Sequence, residues 1–137
     1  MEKQIKYFTP IQDETCLGAV ISRGFSSYHT GVDISKYRGC WINSIADGIV
    51  REARWFENGL GYAVIIDHFD GSSSLYAHGS GEFLVSKGME VSGGQNIMYM
   101  GSSGMSPGTH LHFSIAIDYK DVMTYSNRVN PMDYIDF

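Results

Sequence analysis

Five histidines stand at positions 29, 68, 78, 110 and 112, several of them in or beside glycine-dense segments where backbone can approach a ligand closely. His110 and His112 are two apart, and because successive side chains of a strand alternate faces, a strand there projects both imidazoles to the same side. Such a pair makes a zinc-binding or catalytic face. The segment HTGVD, from His29 to Asp33, places an imidazole nitrogen and a carboxylate oxygen in one short run leading from a loop into a strand. Those are the two donor types a catalytic zinc accepts beside a further histidine, and three protein ligands leave the fourth position for water. On spacing alone, either His110 or His112 can be that further histidine. A lone His-x-His also serves as the hydrogen-bonded rim of a half-buried strand, and His-x-x-x-Asp recurs by chance, so it is the combination that points to a site.

Side chains placed in this way need strands to hold them. Alternation of period two dominates, punctuated by Asp47-Gly48, Asn58-Gly59 and Asp70-Gly71, pairs that favour tight reversals. Between and beside them, residues 41–46, 49–56, 62–68 and 73–78 are of strand length and rich in β-branched and aromatic types, which predicts an antiparallel meander. Residues 88–91, 96–100 and 110–117 read as later strands, with the Gly/Ser-rich stretch 101–108 as a loop before the last. A helical turn over 131–135, capped by Asn130 with Pro131 at its first position, closes the chain. No long helical period, internal repeat or linker-like shift of composition interrupts this pattern. The expectation is one all-β domain over residues 1–137.

Composition agrees with a folded β domain. The 137 residues are 43% hydrophobic and 18% charged, enough to bury a core and too apolar for disorder. Sixteen glycines against three prolines fit many tight turns. The net charge of −5, with no clustering of Lys and Arg, excludes a nucleic-acid partner. Apolar runs such as 17–21 and 62–66 fall far short of the roughly 20 residues that span a bilayer, so no membrane span is expected. The first ten residues, MEKQIKYFTP, show no apolar core of a secretory leader. Cys16 and Cys40 are too few for a disulfide framework and are not spaced as a metal knuckle; they read as two ordinary semi-buried thiols, with a single disulfide left open.

The segments HTGVD, SLYAHGSG and GTHLHF follow one another in this order. Together they resemble the lysostaphin-like zinc metallopeptidases, endopeptidases that cut peptide cross-links of bacterial peptidoglycan. The resemblance covers about Ile21 to Tyr134, the motif-bearing core lying within 21–135. The family's His-x-x-x-Asp and the strand and Asp-Gly turn after it are matched by residues 29–33, 39–46 and 47–48. Its Gly-x-x-Val-x-Ile-x-His strand is similar to 61–68, and its Tyr-x-His to Tyr76, Ala77 and His78. Its Gly-Ser-x-Gly loop running into His-Leu-His-Phe is similar to 101–113, and its closing Asn-Pro to Asn130 and Pro131, with Tyr134 beyond. Departures are Gly79 where leucine is frequent, Thr109 where proline is, and Ser114 where an acid is.

The resemblance implies an open groove across a compact antiparallel sheet, with one zinc held by His29, Asp33 and His112. It implies that His78 and His110 are a catalytic pair outside the metal shell, assisting attack by a zinc-activated water. Arg23 and Tyr28 are both candidates for stabilising the transition state. His68, at a strand end, is expected to be a hydrogen-bonded structural residue, and Trp41, Trp55 and the nine tyrosines core and groove wall. The implied partner is a stem or cross-bridge peptide of peptidoglycan, met at the bacterial cell wall on its extracellular or periplasmic side. Without a visible leader, the expected carrier is a phage virion or a larger multidomain protein. The alternative is a non-catalytic wall-binding or assembly module of the same fold, for example in a phage tail. Such modules typically lack several ligands, whereas all five positions are filled here.

Overall fold

A computed structural model describes residues 6–137; residues 1–5, the first part of the stretch read for a leader, lie outside the described residues. The alternating segments form ten strands of one antiparallel sheet: β1 (Val20–Arg23), β2 (Val32–Ser35), β3 (Trp41–Asn43), β4 (Gly48–Phe56), β5 (Gly61–His68), β6 (Ser73–Phe83), β7 (Glu90–Val91), β8 (Asn96–Met100), β9 (His110–Ala116) and β10 (Arg128–Val129). The order across the sheet is β1-β2-β9-β6-β5-β4-β7, with β10 on β9, and β8 joining β3 to β6. Among the described residues, helical geometry is confined to three short 3-10 turns, and no helix is long and apolar enough to cross a membrane. The closing turn is Pro131–Asp133, and the Asn130 side chain caps it by accepting from the Met132 amide.

β4, β5 and β6 form the expected meander, reversing near Asn58-Gly59 and Asp70-Gly71. The reversal expected at Asp47-Gly48 is absent: Gly48 already pairs with His68, and β3 turns away to pair with β8. A side chain at Gly48 would collide with the Asp67 carbonyl, so glycine is required there by close strand approach. The strands β1 and β2, which the alternation did not single out, supply one edge of the sheet and carry Asp33.

Side chains alternate between two apolar layers. Val32, Ile34, Leu111, Phe113, Val64, Ile66 and Tyr76 point into the larger core. Ala63, Ile65, Leu75, Ala77 and Ala116 face a smaller cluster with Phe56 and Val122 on the opposite side. Asp33, His110 and His112 alternate with the larger core's residues on β2 and β9, so burial of Val32, Ile34, Leu111 and Phe113 turns the polar side chains to the other face.

Cys16 and Cys40 are joined in a disulfide, Cα to Cα 5.0 Å, the alternative that spacing left open beside the favoured reading of two ordinary thiols. Both are buried, and pairing required the segment around the first 3-10 turn, Glu14–Cys16, to pack against the start of β3, a contact no local pattern encodes. Replacing both cysteines by alanine should lower folding stability by about 2–4 kcal/mol, because the closed loop no longer restricts the unfolded chain. Denaturant midpoints of the two proteins, compared under non-reducing conditions, test this; equal midpoints would show that the cross-link adds nothing.

Candidate metal centre

The register between β2 and β9 pairs Asp33 with His112 and Ser35 with His110. Directly opposite residues in an antiparallel pair share a face, so this register brings Asp33 and both histidines together. His29 reaches them from the loop before β2, and Gly31 permits the approach: a Cβ there would lie 2.5 Å from the Phe113 carbonyl oxygen and 2.9 Å from Cε1 of His112. His78 arrives by a different device. At the end of β6's pairing with β9, Ala77 and His78 stand opposite the single residue Ala63 between the pairs Val64↔Tyr76 and Tyr62↔Gly79. This bulge gives His78 a φ of 65° and re-aims its ring into the site.

Each of the four imidazoles has one nitrogen tied down. His29 Nδ1–H donates to the Gly24 carbonyl at 3.0 Å, His78 Nδ1–H to the Ser103 carbonyl at 2.8 Å, and His110 Nδ1–H to the Gly108 carbonyl at 3.0 Å. His112 is held the other way round: its Nε2–H donates to Ser114 Oγ at 3.0 Å, and the Ser114 hydroxyl donates to the Thr30 carbonyl at 2.7 Å. A carbonyl only accepts, so these bonds fix the tautomers and leave His29 Nε2 and His112 Nδ1 with free lone pairs. Those two nitrogens lie 3.2 and 3.1 Å from Asp33 Oδ1, and His110 Nε2 lies 3.7 Å from it.

Lone pairs facing an ionised carboxylate repel unless protons or a cation stand between them. One donor atom from each of His29, Asp33 and His112 lies within 4.8 Å of the others. Tetrahedral ligands about 2.0–2.1 Å from zinc are separated by about 3.3 Å, close to the two nitrogen–oxygen distances here. The residues therefore fit zinc in both donor type and spacing. His110 stands farther off, with its ring 4.8 Å from that of His78.

Electrostatics keep the donors available. Burial alone would raise the Asp33 pKa, but the polar contact with His112 and the proximity of the His29 and His110 rings outweigh it and hold the carboxylate below its ordinary value. Burial lowers the pKa of His112 against the pull of Asp33, and lowers that of His78 against its bond to Ser103. Neutral imidazole is the ligating form. His68 is buried away from the site between the Asp47 carbonyl and Ser74 Oγ, as expected of a structural residue.

Two cavities meet at the cluster, of about 580 and 440 Å³, sharing His29, His78, Met105 and His112. Arg23 lines the first and the exposed Tyr28 the second, so each cavity contains one of the two transition-state candidates. Ser103, Ser114 and Thr30 were not singled out as supporting residues by spacing. Ser114 carries a visible signal only as a departure from an acid, since its role depends on which strand lies beside it.

Peptidase family M23 matches residues 27–131, which contain all five histidine and aspartate positions of the cluster. Over 94 residues the chain is 38% identical to the DD-carboxypeptidase/endopeptidase Mpg of Neisseria meningitidis serogroup B, covering 69% of this chain and 21% of that protein. Over 105 residues it is 41% identical to the murein hydrolase activator NlpD of Escherichia coli K12, covering 77% of this chain and 25% of the relative. The chain thus spans a quarter or less of these curated relatives. The catalytic domain of the antimicrobial peptidase lysostaphin from Staphylococcus simulans superposes with a TM-score of 0.68 at 32% identity, over 76% of each chain.

The lowered pKa values of His68, His78 and His112 set a direction for acid stability. Their folded pKa values lie below the ordinary 6.5, so the unfolded chain binds protons first; the stability is present above about 6.5 and is lost as pH falls through it. Urea midpoints of the metal-free protein should be flat from pH 8 to 7 and fall towards pH 5. A midpoint that rises on acidification would contradict the burial of these rings.

Proposed function

The chain belongs to peptidase family M23, and on that premise we propose that it is a zinc-dependent endopeptidase hydrolysing peptide cross-links of bacterial peptidoglycan. The observation that carries this reading is the donor set itself: two imidazole lone pairs of fixed tautomer, converging on the Asp33 carboxylate. His29, Asp33 and His112 hold one zinc ion per chain. The ion supplies Lewis-acid activation of a water and of the scissile carbonyl.

The remaining steps belong to side chains. His110 keeps its Nδ1 proton on the Gly108 carbonyl, which leaves Nε2 to take a proton from the attacking water and pass it to the leaving amine. His78, pinned through Nδ1 to Ser103, presents a second Nε2 beside it for hydrogen bonding as charge develops on the carbonyl oxygen. Arg23 and Tyr28 border the space where the substrate lies. The substrate is a stem or cross-bridge peptide, and the described chain acts as one catalytic module. The Cys16–Cys40 disulfide supports work in an oxidising setting, at the extracellular or periplasmic face of the wall. A virion or a larger multidomain protein is the proposed carrier.

Similarity to NlpD, named as a murein hydrolase activator, favours a second reading as a non-catalytic wall-binding or assembly module. Metal analysis combined with turbidity loss of purified sacculi separates the two. Wild type should hold about one zinc per chain and clear the suspension. His112→Ala and Asp33→Ala should lose the metal, whereas His110→Ala and His78→Ala should keep it and lose about 10²–10⁴ in rate. Stoichiometric zinc without clearing of glycine-bridged or directly linked walls would favour the second reading, and a His112→Ala protein with full zinc would refute the ligand set.

A further inference from the structure

Arg128, on β10, is 8% exposed and has no carboxylate partner among the described residues. Its Nε donates to the Val122 carbonyl at 2.7 Å and its Nη1 to Thr30 Oγ1 at 3.1 Å, while Nη2 is buried without a hydrogen-bond partner among the described residues. Removing a guanidinium from water without an anion is costly, and leaving one of its donors unmade adds to that cost. Two hydrogen bonds and the Tyr125 ring leave this buried cation without a counter-charge among the described residues.

The surroundings show where that charge enters. Arg128 lines the cavity of about 440 Å³ that also reaches His29, His78 and His112, and no acidic residue among the described residues lines that cavity. Arg23 lines the other cavity, in which Asp33 is the sole carboxylate among the described residues. A chain of net charge −5 therefore presents a groove whose two arms each carry an arginine. The ring of Tyr125, itself 62% exposed, lies 4.4 Å over the guanidinium and lines the same cavity.

We propose that Arg128 is a recognition site for a substrate carboxylate, so that the groove takes a cross-link peptide with a free carboxylate close to the scissile amide in preference to a neutral glycine bridge. The planar guanidinium suits a carboxylate. The inference deepens the endopeptidase reading and rests on it for the position of the scissile bond, but recognition of the carboxylate is measurable without cleavage.

Two synthetic cross-linked peptides, identical except that a carboxylate beside the scissile amide is a carboxamide in one, are offered to the zinc-loaded protein. Wild type should favour the carboxylate by roughly 10- to 100-fold in kcat/KM, the range expected of a charged hydrogen-bonded contact. Arg128→Gln should bring the ratio to about one, and Arg128→Lys should retain part of it. The ratio is unaffected by any general loss of activity through Thr30, because both peptides suffer that loss equally. Should no peptide be cleaved, the endopeptidase reading fails, and the same ratio taken from dissociation constants of the zinc-loaded proteins decides the inference. No preference in wild type, or an equal preference in Arg128→Gln, overturns it.

Discussion

Asp33 Oδ1 faces imidazole nitrogens of His29, His110 and His112 at 3.2, 3.7 and 3.1 Å, and much of the fold is arranged around this convergence. A carboxylate so placed cannot be satisfied by neutral rings whose only protons are committed elsewhere. The β2–β9 register places Asp33 beside His112, and a one-residue slip would turn Asp33 into the core and Val32 or Ile34 out of it. The core thereby enforces the geometry of the centre: the free energy of burying Val32, Ile34, Leu111 and Phe113 holds the register, and the register holds the donors.

The same logic extends to the supporting hydrogen bonds. Backbone carbonyls orient His29, His78 and His110, the last with help from the Ser106 hydroxyl, whereas His112 is held by a hydroxyl alone, that of Ser114, which is itself anchored on the Thr30 carbonyl. Where an acid in this position would bring a further charge next to the ring, serine fixes the tautomer without one. The loop carrying Ser103 is in turn tied to the sheet, since Ser103 Oγ accepts from the Tyr62 amide and donates to the Gly79 carbonyl. Thus the Gly/Ser-rich loop is a clamp on the bulge of β6 that presents His78.

What was legible in the sequence were properties carried by local spacing. Period two put His110 and His112 on one face, and the run from His29 to Asp33 joined two donors across a glycine that the structure shows to be sterically required. The all-β class, the β4–β6 hairpins and the capped turn at Asn130 likewise depend on near neighbours. Properties set by distant pairing were not legible. Asp47-Gly48 has the chemistry of a turn, but its Gly48 is held in strand pairing by β5 and β7; β3 pairs with a strand more than fifty residues later, and Cys16 meets Cys40 through packing. The exceptional backbone of His78 arises from β6 serving β9 along one stretch and β8 along the next, so no window around His78 contains its cause.

Arg128 shows the same limit in electrostatic form. In sequence it is one cation among ten Lys and Arg residues, unremarked by spacing or composition. In the fold, β10 continues the edge of β9 beyond the end of β2, and that placement buries the guanidinium behind the Thr30 loop. The site then contains uncompensated groups of both signs: a carboxylate ringed by lone pairs at its centre and a guanidinium lacking an anion in one arm. On the proposed reading, a divalent cation would offset the first and an anionic peptide the second. With both bound, the positive charge of the metal and of Arg128 is shared by Asp33 and the incoming carboxylate, and neither charged side chain is left buried without a counter-ion.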